Sequence, residues 1–273
     1  MTEHEASPTA ASPALLAEFA ERLAVARTTR TPIAPLKAPG VSLTIDDAYE
    51  IQRRQLDRRL AAGARLRGHK VGLTSASMQR QLGVAQPDFG FLTADMFHAE
   101  NESVAGHQFL QPRIEPEIAF VLERPLRGPG VTVAEAIHAV AYVVPALEII
   151  DSRIEDWRIG IVDTIADNAS SGGVVLGSRP VRLTDVDLRL AGCLLHRNGE
   201  LVATGAGGAV LGSPVNALVW LANVLGERGA GLEAGQVVLP GSMTAAVPFG
   251  PGDVVTTTVA GLGSVTVRNG DLP

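Results

Sequence analysis

Two N-terminal stretches place apolar residues at three- and four-residue spacing, and the chain beyond them turns to continuous or alternating apolar runs. Leu15, Leu16, Phe19, Leu23 and Ala26 line one face of a predicted helix that Ser12-Pro13 opens, with Ser12 as the N-cap and proline at the first helical position. Pro32, Pro35 and Pro39 make 28–39 an extended connector. A second helix begins near Thr44 and stops at Gly63. It sets Ile45, Tyr49, Leu56 and Leu60 on one face and Arg53, Arg54, Arg58 and Arg59 off it. The run LRGHKVGL at 66–73 is strand-like and carries Lys70 in its middle. Thr74-Ser75 then caps an expected helix through Leu82 that Gly83 closes. The segment VAQPDFGFLTADMF reads as an ordered loop lining a pocket, because Phe89, Phe91, Leu92 and Phe97 need packing partners.

The stretch LQPRIEPEIAFVLE at 110–123 predicts a strand, and Thr132 with Glu135 forms a capping box that opens a helix over AEAIHAVA. YVVPALEII follows as a buried strand, and 156–171 mixes helical spacing at Trp157, Ile161 and Ile165 with a polar end. Asn198-Gly199 signals a hairpin, Ser213-Pro214 caps a helix with Leu218, Leu221, Ala222 and Leu225 inward, and the remainder alternates as strands around Pro251-Gly252-Asp253. Three segments result: a flexible tail over 1–11, a helical N-terminal arm over 12–65 and one domain over 66–273.

At 273 residues and 46% hydrophobic content the chain can bury a large core. A net charge of −6 with basic residues spread along the sequence offers no nucleic-acid footprint. The N-terminus lacks a basic and then apolar leader, and no apolar run reaches bilayer length, so neither export nor a membrane is expected. The single cysteine, Cys193, reads as a small core residue and suits a reducing cytoplasm.

Glu115 and Glu117 stand two apart in an apolar strand and leave it on the same face. Alone, the pair fits a half-exposed edge strand better than a metal site. Glu148, a third acid in an apolar run one helix later, shifts the balance toward a convergent all-oxygen site for a hard divalent ion such as magnesium or manganese. Asp151 follows at that strand's end. His69 would face away from Lys70, and His196 precedes a hairpin, so both read as structural.

The motifs KVGLTS, LGVAQPDFG, QPRIEPEIAFVL, PALEIIDSRIEDW, DTIADNASSG and GLGSV, in that order, resemble the 2-keto-4-pentenoate hydratase group of the fumarylacetoacetate hydrolase superfamily, from about Ala48 to Val267. The resemblance implies an α+β fold with a mixed, strongly bent β-roll sheet, and a homo-oligomer that can associate with another enzyme of its catabolic pathway. It implies Mg2+ or Mn2+ on Glu115, Glu117 and Glu148, with Lys70 and Asp88 catalytic. Ser170, Ser242 and Thr244 are candidates for substrate carboxylate or water, although small hydroxyls beside glycine also form turns. The substrate class would be a 2-hydroxy-2,4-dienoate of five or six carbons, hydrated to a 4-hydroxy-2-oxo acid in aromatic or steroid catabolism. Two alternatives stand beside it. The motif IDSR, and TAAVP followed by PGD, also resemble 4-oxalocrotonate decarboxylase. A non-catalytic partner subunit is the other, and the intact Lys70 and acids argue against it.

Overall fold

Short-range signals produce the helical arm. In the computed structural model, which describes residues 9–76, 79–80 and 83–270, Ser12 accepts a hydrogen bond from Leu15 N and starts α1 (Pro13–Thr29), whose Leu16, Phe19, Ala20, Leu23 and Ala26 are buried. Thr44 and Asp47 form a reciprocal capping box at the head of α2 (Ile45–Ala61). The buried face of α2 is not the one its apolar spacing suggests: Ala48, Tyr49, Ile51 and Gln52 turn inward, while Leu60 is 40% exposed. Gln52 explains the rotation, because its amide donates to Phe89 O and Ile165 O, both at 2.8 Å, and docks the helix on the domain. Most of the tail expected over 1–11 lies outside the described residues; Thr9 bonds to Gly40 O at 2.9 Å. The helix expected from Thr74 to Leu82 likewise includes residues 77–78 and 81–82, outside the described set.

Among the described residues thirteen strands follow: β1 (Leu66–Gly72), β2 (Asp88–Thr93), β3 (Phe97–His98), β4 (Ser103–Val104), β5 (Arg113–Leu122), β6 (Val140–Ile150), β7 (Ser171–Leu176), β8 (Gly192–Arg197), β9 (Glu200–Ala206), β10 (Val237–Leu239), β11 (Val247–Pro248), β12 (Val254–Val259) and β13 (Gly263–Asn269). The larger sheet runs β2-β1-β10-β5-β6-β7-β3, with β11 also on β5, and the smaller runs β4-β13-β12-β8-β9. Among the described residues the further α-helices are α3 (Val133–Ala139), capped by Thr132 and Glu135, α4 (Ile161–Ala166) and α5 (Pro214–Glu227). The hairpin signal holds: Asn198 and Gly199 both take positive φ, 55° and 84°, between β8 and β9.

One face of the large sheet packs Ile114, Leu147, Ile149 and Val175 against Leu195, Val255, Val265 and Val267 of the small one. On another patch, Leu92 of β2 and Val174 of β7 share a cluster with Ala119, Ala146 and Leu239. Since β2 and β7 lie far apart in the strand order, the large sheet must curl to bring them together. Two expectations need correction. The segment after Pro87 is not a loop but the fully buried strand β2, with Asp88 as its first residue. One stretch, Gly207–Glu227, does reach the length and mean hydropathy, 1.5, of a spanning segment, but α5 inside it buries Leu218, Leu221, Ala222 and Leu225 in the core.

Candidate metal centre

Strand pairing assembles the acids. Glu115 on β5 lies directly opposite Glu148 on β6, and Glu117 follows one pleat along β5. Pro116 between them fits because the β10 and β11 pairings with β5 leave a gap there, where Met243 N donates to Pro116 O at 3.0 Å. One carboxylate oxygen from each glutamate lies within 4.8 Å of the others, and Glu117 and Glu148 are fully buried. Glu117 Oε2 accepts from Gly241 N at 2.8 Å. Its Oε1 and both oxygens of Glu148 have no hydrogen-bond partner. Buried, partnerless carboxylate oxygens are costly. Burial, then repulsion from Glu148 and Glu115, holds the Glu117 carboxyl well above the usual range. Burial likewise raises Glu148, against the opposing pull of Lys70, and Glu115. An all-oxygen set with open lone pairs and surplus negative charge fits a hard divalent cation.

Lys70 enters from β1, next to Leu239 and Gly90 in register. Its Nζ lies 3.3 Å from Glu148 Oε2 and donates to Ala169 O at 3.0 Å. Burial pulls this ammonium down, but Glu148, Glu115, Asp88 and Glu117 outweigh it and hold Lys70 above its ordinary value. Asp88 is 1% exposed, and its Oδ2 accepts from Thr164 Oγ1 at 3.3 Å while Oδ1 has no partner. A methyl at Gly72 would stand 2.2 Å from that Oδ1 and 3.4 Å from Lys70 Nζ, so glycine is what admits the two side chains. Burial raises the Asp88 carboxyl, with Lys70 opposing.

A strained turn closes this end of the site. Asn168, Ala169 and Ser170 take φ of 57°, 49° and 55° in succession, a conformation that L-residues hold only when their surroundings require it. Asn168 supplies the hold: Phe91 N donates to its Oδ1 at 2.7 Å and its Nδ2 donates to Phe91 O at 2.9 Å. The turn thereby presents Ala169 O to Lys70 and sets Ser170 Oγ 3.5 Å from Thr164 Oγ1.

The structure therefore brings together Glu115, Glu117, Glu148, Lys70 and Asp88, with Ser170 linked through Thr164. Ser242 and Thr244 behave differently: Ser242 Oγ donates to Thr244 O at 2.8 Å and Thr244 Oγ1 to Ala245 O at 2.9 Å, and the amide of Gly241 is what their turn delivers to Glu117. Sequence reading passed over Thr164, Gly72 and Gly241, and noted Asn168 only as part of a polar segment. Of these, Gly72 after an inward lysine carried a usable signal. His69 is buried, and burial pushes its imidazole down to about 4. A 580 Å³ surface depression lined by Arg59, Arg65 and Asp95 and a 310 Å³ cavity lined by Arg27, His98, Asp151 and Arg153 do not include Glu115, Glu117 or Glu148.

Comparison with known proteins agrees with this architecture. The family model described as Fumarylacetoacetate (FAA) hydrolase C-terminal matches residues 63–268. A "TodF product hydratase" from Pseudomonas putida is 51% identical over 222 residues, covering 81% of this chain and 83% of that protein. A "2-keto-4-pentenoate hydratase" from Paraburkholderia xenovorans is 48% identical over 248 residues, covering 91% and 92%. Among solved structures, 4-oxalocrotonate decarboxylase from Pseudomonas putida G7, complexed with magnesium and adipate, aligns with a TM-score of 0.92 at 38% identity over 96% of this chain and 99% of that one. This chain belongs to the fumarylacetoacetate hydrolase family.

Proposed function

We propose that the chain is a metal-dependent hydratase that converts a 2-hydroxy-2,4-dienoate of five or six carbons to a 4-hydroxy-2-oxo acid. The observation that carries this reading is the convergence of three glutamates with open oxygens, a buried lysine and a buried aspartate with one unpartnered oxygen. Glu115, Glu117 and Glu148 would hold Mg2+ or Mn2+, which supplies Lewis-acid polarisation of a 2-oxo acid.

The chain's own residues account for the remaining chemistry. Ketonisation moves a proton from the 2-hydroxyl to C5 and leaves a 2-oxo-3-enoate. Lys70, a fixed ammonium in a dry site, stabilises negative charge on the 2-oxygen during that transfer. Water then adds with its oxygen to C4 and a proton to C3. Asp88 orients that water and accepts its proton through Oδ1, the oxygen that Thr164 leaves free. Ser170 assists from the same end, and Ser242 and Thr244 shape the wall behind Glu117.

Residues 12–65 serve as an arm to a catalytic unit over 66–273, and the enzyme works in the cytoplasm as a homo-oligomer, in contact with another enzyme of its pathway. A decarboxylase reading is supported by the 38% identical structure of 4-oxalocrotonate decarboxylase, but relatives at 48% and 51% bear hydratase names. The test is to offer 2-hydroxypenta-2,4-dienoate, its six-carbon homologue and 2-oxohex-3-enedioate with magnesium and to identify products. A hydroxy-oxo acid from either dienoate is expected; release of carbon dioxide from the enedioate, without hydration, overturns the assignment.

A further inference from the structure

Arg113 opens β5 two residues before Glu115, so strand alternation puts both side chains on one face of the sheet, about 7 Å apart at the backbone. The side chain is preorganised. Its guanidinium carbon lies 4.5 Å from the centre of the Trp157 ring, and the indole is itself fixed by Nε1 donating to Gln111 O at 3.1 Å. Trp157 holds a φ of 54°, a conformation that a bulky residue keeps only under constraint.

Arg53, Arg59, Arg153 and Arg197 are each tied to a carboxylate. Among the described residues the guanidinium of Arg113, although half-buried, has neither an ion pair nor a hydrogen bond, its backbone alone being paired in the sheet. Lys70, the other cation on this face, is committed to Glu148 and Ala169. A stacked guanidinium with its donor fork open, one pleat from an acidic cluster suited to a cation, matches the geometry of a carboxylate whose neighbouring oxygen lies at that cluster.

We propose that Arg113, stacked on Trp157, is the positioning residue that grips the C1 carboxylate of the 2-oxo acid. This inference deepens the hydratase reading and rests on it for the substrate, although its binding test does not need turnover. Magnesium-loaded wild type and Arg113→Met and Arg113→Lys variants are titrated calorimetrically with pyruvate, and KM and kcat are measured for the five-carbon dienoate and for a dicarboxylate analogue. Because the grip is a charge-assisted pair, Arg113→Met should weaken pyruvate binding and raise both KM values about 10- to 100-fold, with kcat changed far less and magnesium affinity unchanged. Arg113→Lys, which keeps the charge without the fork, should recover part of the loss, and Trp157→Leu should reproduce a fraction of it.

Equal pyruvate binding by wild type and Arg113→Met overturns the inference, whether or not the chain hydrates dienoates. So does a parallel loss of magnesium affinity, which would make Arg113 a support of the metal site, or a loss confined to the dicarboxylate, which would assign it to the far end of the substrate. A wild type that binds pyruvate through Arg113 yet hydrates nothing would leave this inference standing and remove the hydratase reading.

Discussion

Two buried clusters of acid and base lie side by side at the C-terminal end of β6, one within the strand and one just beyond it, and they are finished differently. After the strand, Arg153 pairs with Asp167 through Nε and donates its backbone N to the other carboxylate oxygen at 2.8 Å. Asp151 beside it accepts from Leu110 N and Gln111 N, at 2.6–3.1 Å. Every one of these carboxylate oxygens has a partner. Around Glu148, inside the strand, Glu148, Glu117 and Asp88 keep four oxygens without a hydrogen bond, and Glu148 Oε2 has only the Lys70 ammonium 3.3 Å away. Burial alone does not separate the two, since Asp167 is 1% exposed and its carboxyl is still pushed up to about 6 by desolvation, against Arg153. Satisfaction does. A closed network holds the chain together, and an open one is built for a group that arrives from outside.

Metal removal should give the largest effect. Chelation with excess EDTA should abolish turnover and magnesium or manganese should restore it; full turnover with no metal retained would put the open cluster in the same class as the closed one. Next comes Asp88→Asn, which should slow hydration by roughly 10²–10⁴-fold while ketonisation and metal binding survive. The mutant should accumulate the 2-oxo-3-enoate, visible by NMR, and equal loss of both steps would reassign Asp88 to substrate binding. At the closed cluster, Asp167→Ala strands the Arg153 charge and should cost about 3–5 kcal/mol of stability by chemical denaturation. Little change there would mean that Asp167 is as dispensable to folding as the open glutamates.

Two smaller effects sharpen the contrast through pH. His69 is buried with its pKa lowered to about 4 by desolvation, so the unfolded chain binds a proton below 6.5 and the folded chain does not until about 4. Its contribution is present above pH 6.5 and is lost as pH falls toward 4, by up to about 3 kcal/mol. His69→Leu should flatten that acid limb. Glu117 has the opposite sign. Its folded pKa is raised, so in EDTA its contribution is full below the ordinary carboxylate range and is lost as pH rises. Metal-free Glu117→Gln should therefore melt higher than metal-free wild type at pH 8, with the gap narrowing at pH 5; a lower melting temperature at pH 8 would mean that the acid is structurally required.

Much of this was readable from local chemistry. Ser12, Thr44 and Thr132 announce their helices because a cap acts within three residues, and Asn198-Gly199 announces its hairpin because only two φ values are at stake. The acids on β5 and β6 were legible for a similar reason: charge inside an apolar strand is expensive wherever the strand goes. The placement of Asp88 was not legible. PDFGF carries loop residues, and only its pairing with β1 makes it a strand. The buried face of α2 was misjudged because Gln52 finds its acceptors 37 and 113 residues away.

What the sequence determined by itself, then, is where the capped helices begin, which side chains share a strand face and which acids stand inside apolar strands, all properties of spacing and polarity over a few residues. Which acids stay open was decided by the tertiary structure. Gly241 reaches Glu117 across 124 residues, Ala169 reaches Lys70 across 99 and Thr164 reaches Asp88 across 76. Whether a buried oxygen is satisfied depends on donors brought from such distances, and only the folded, curled sheet brings them.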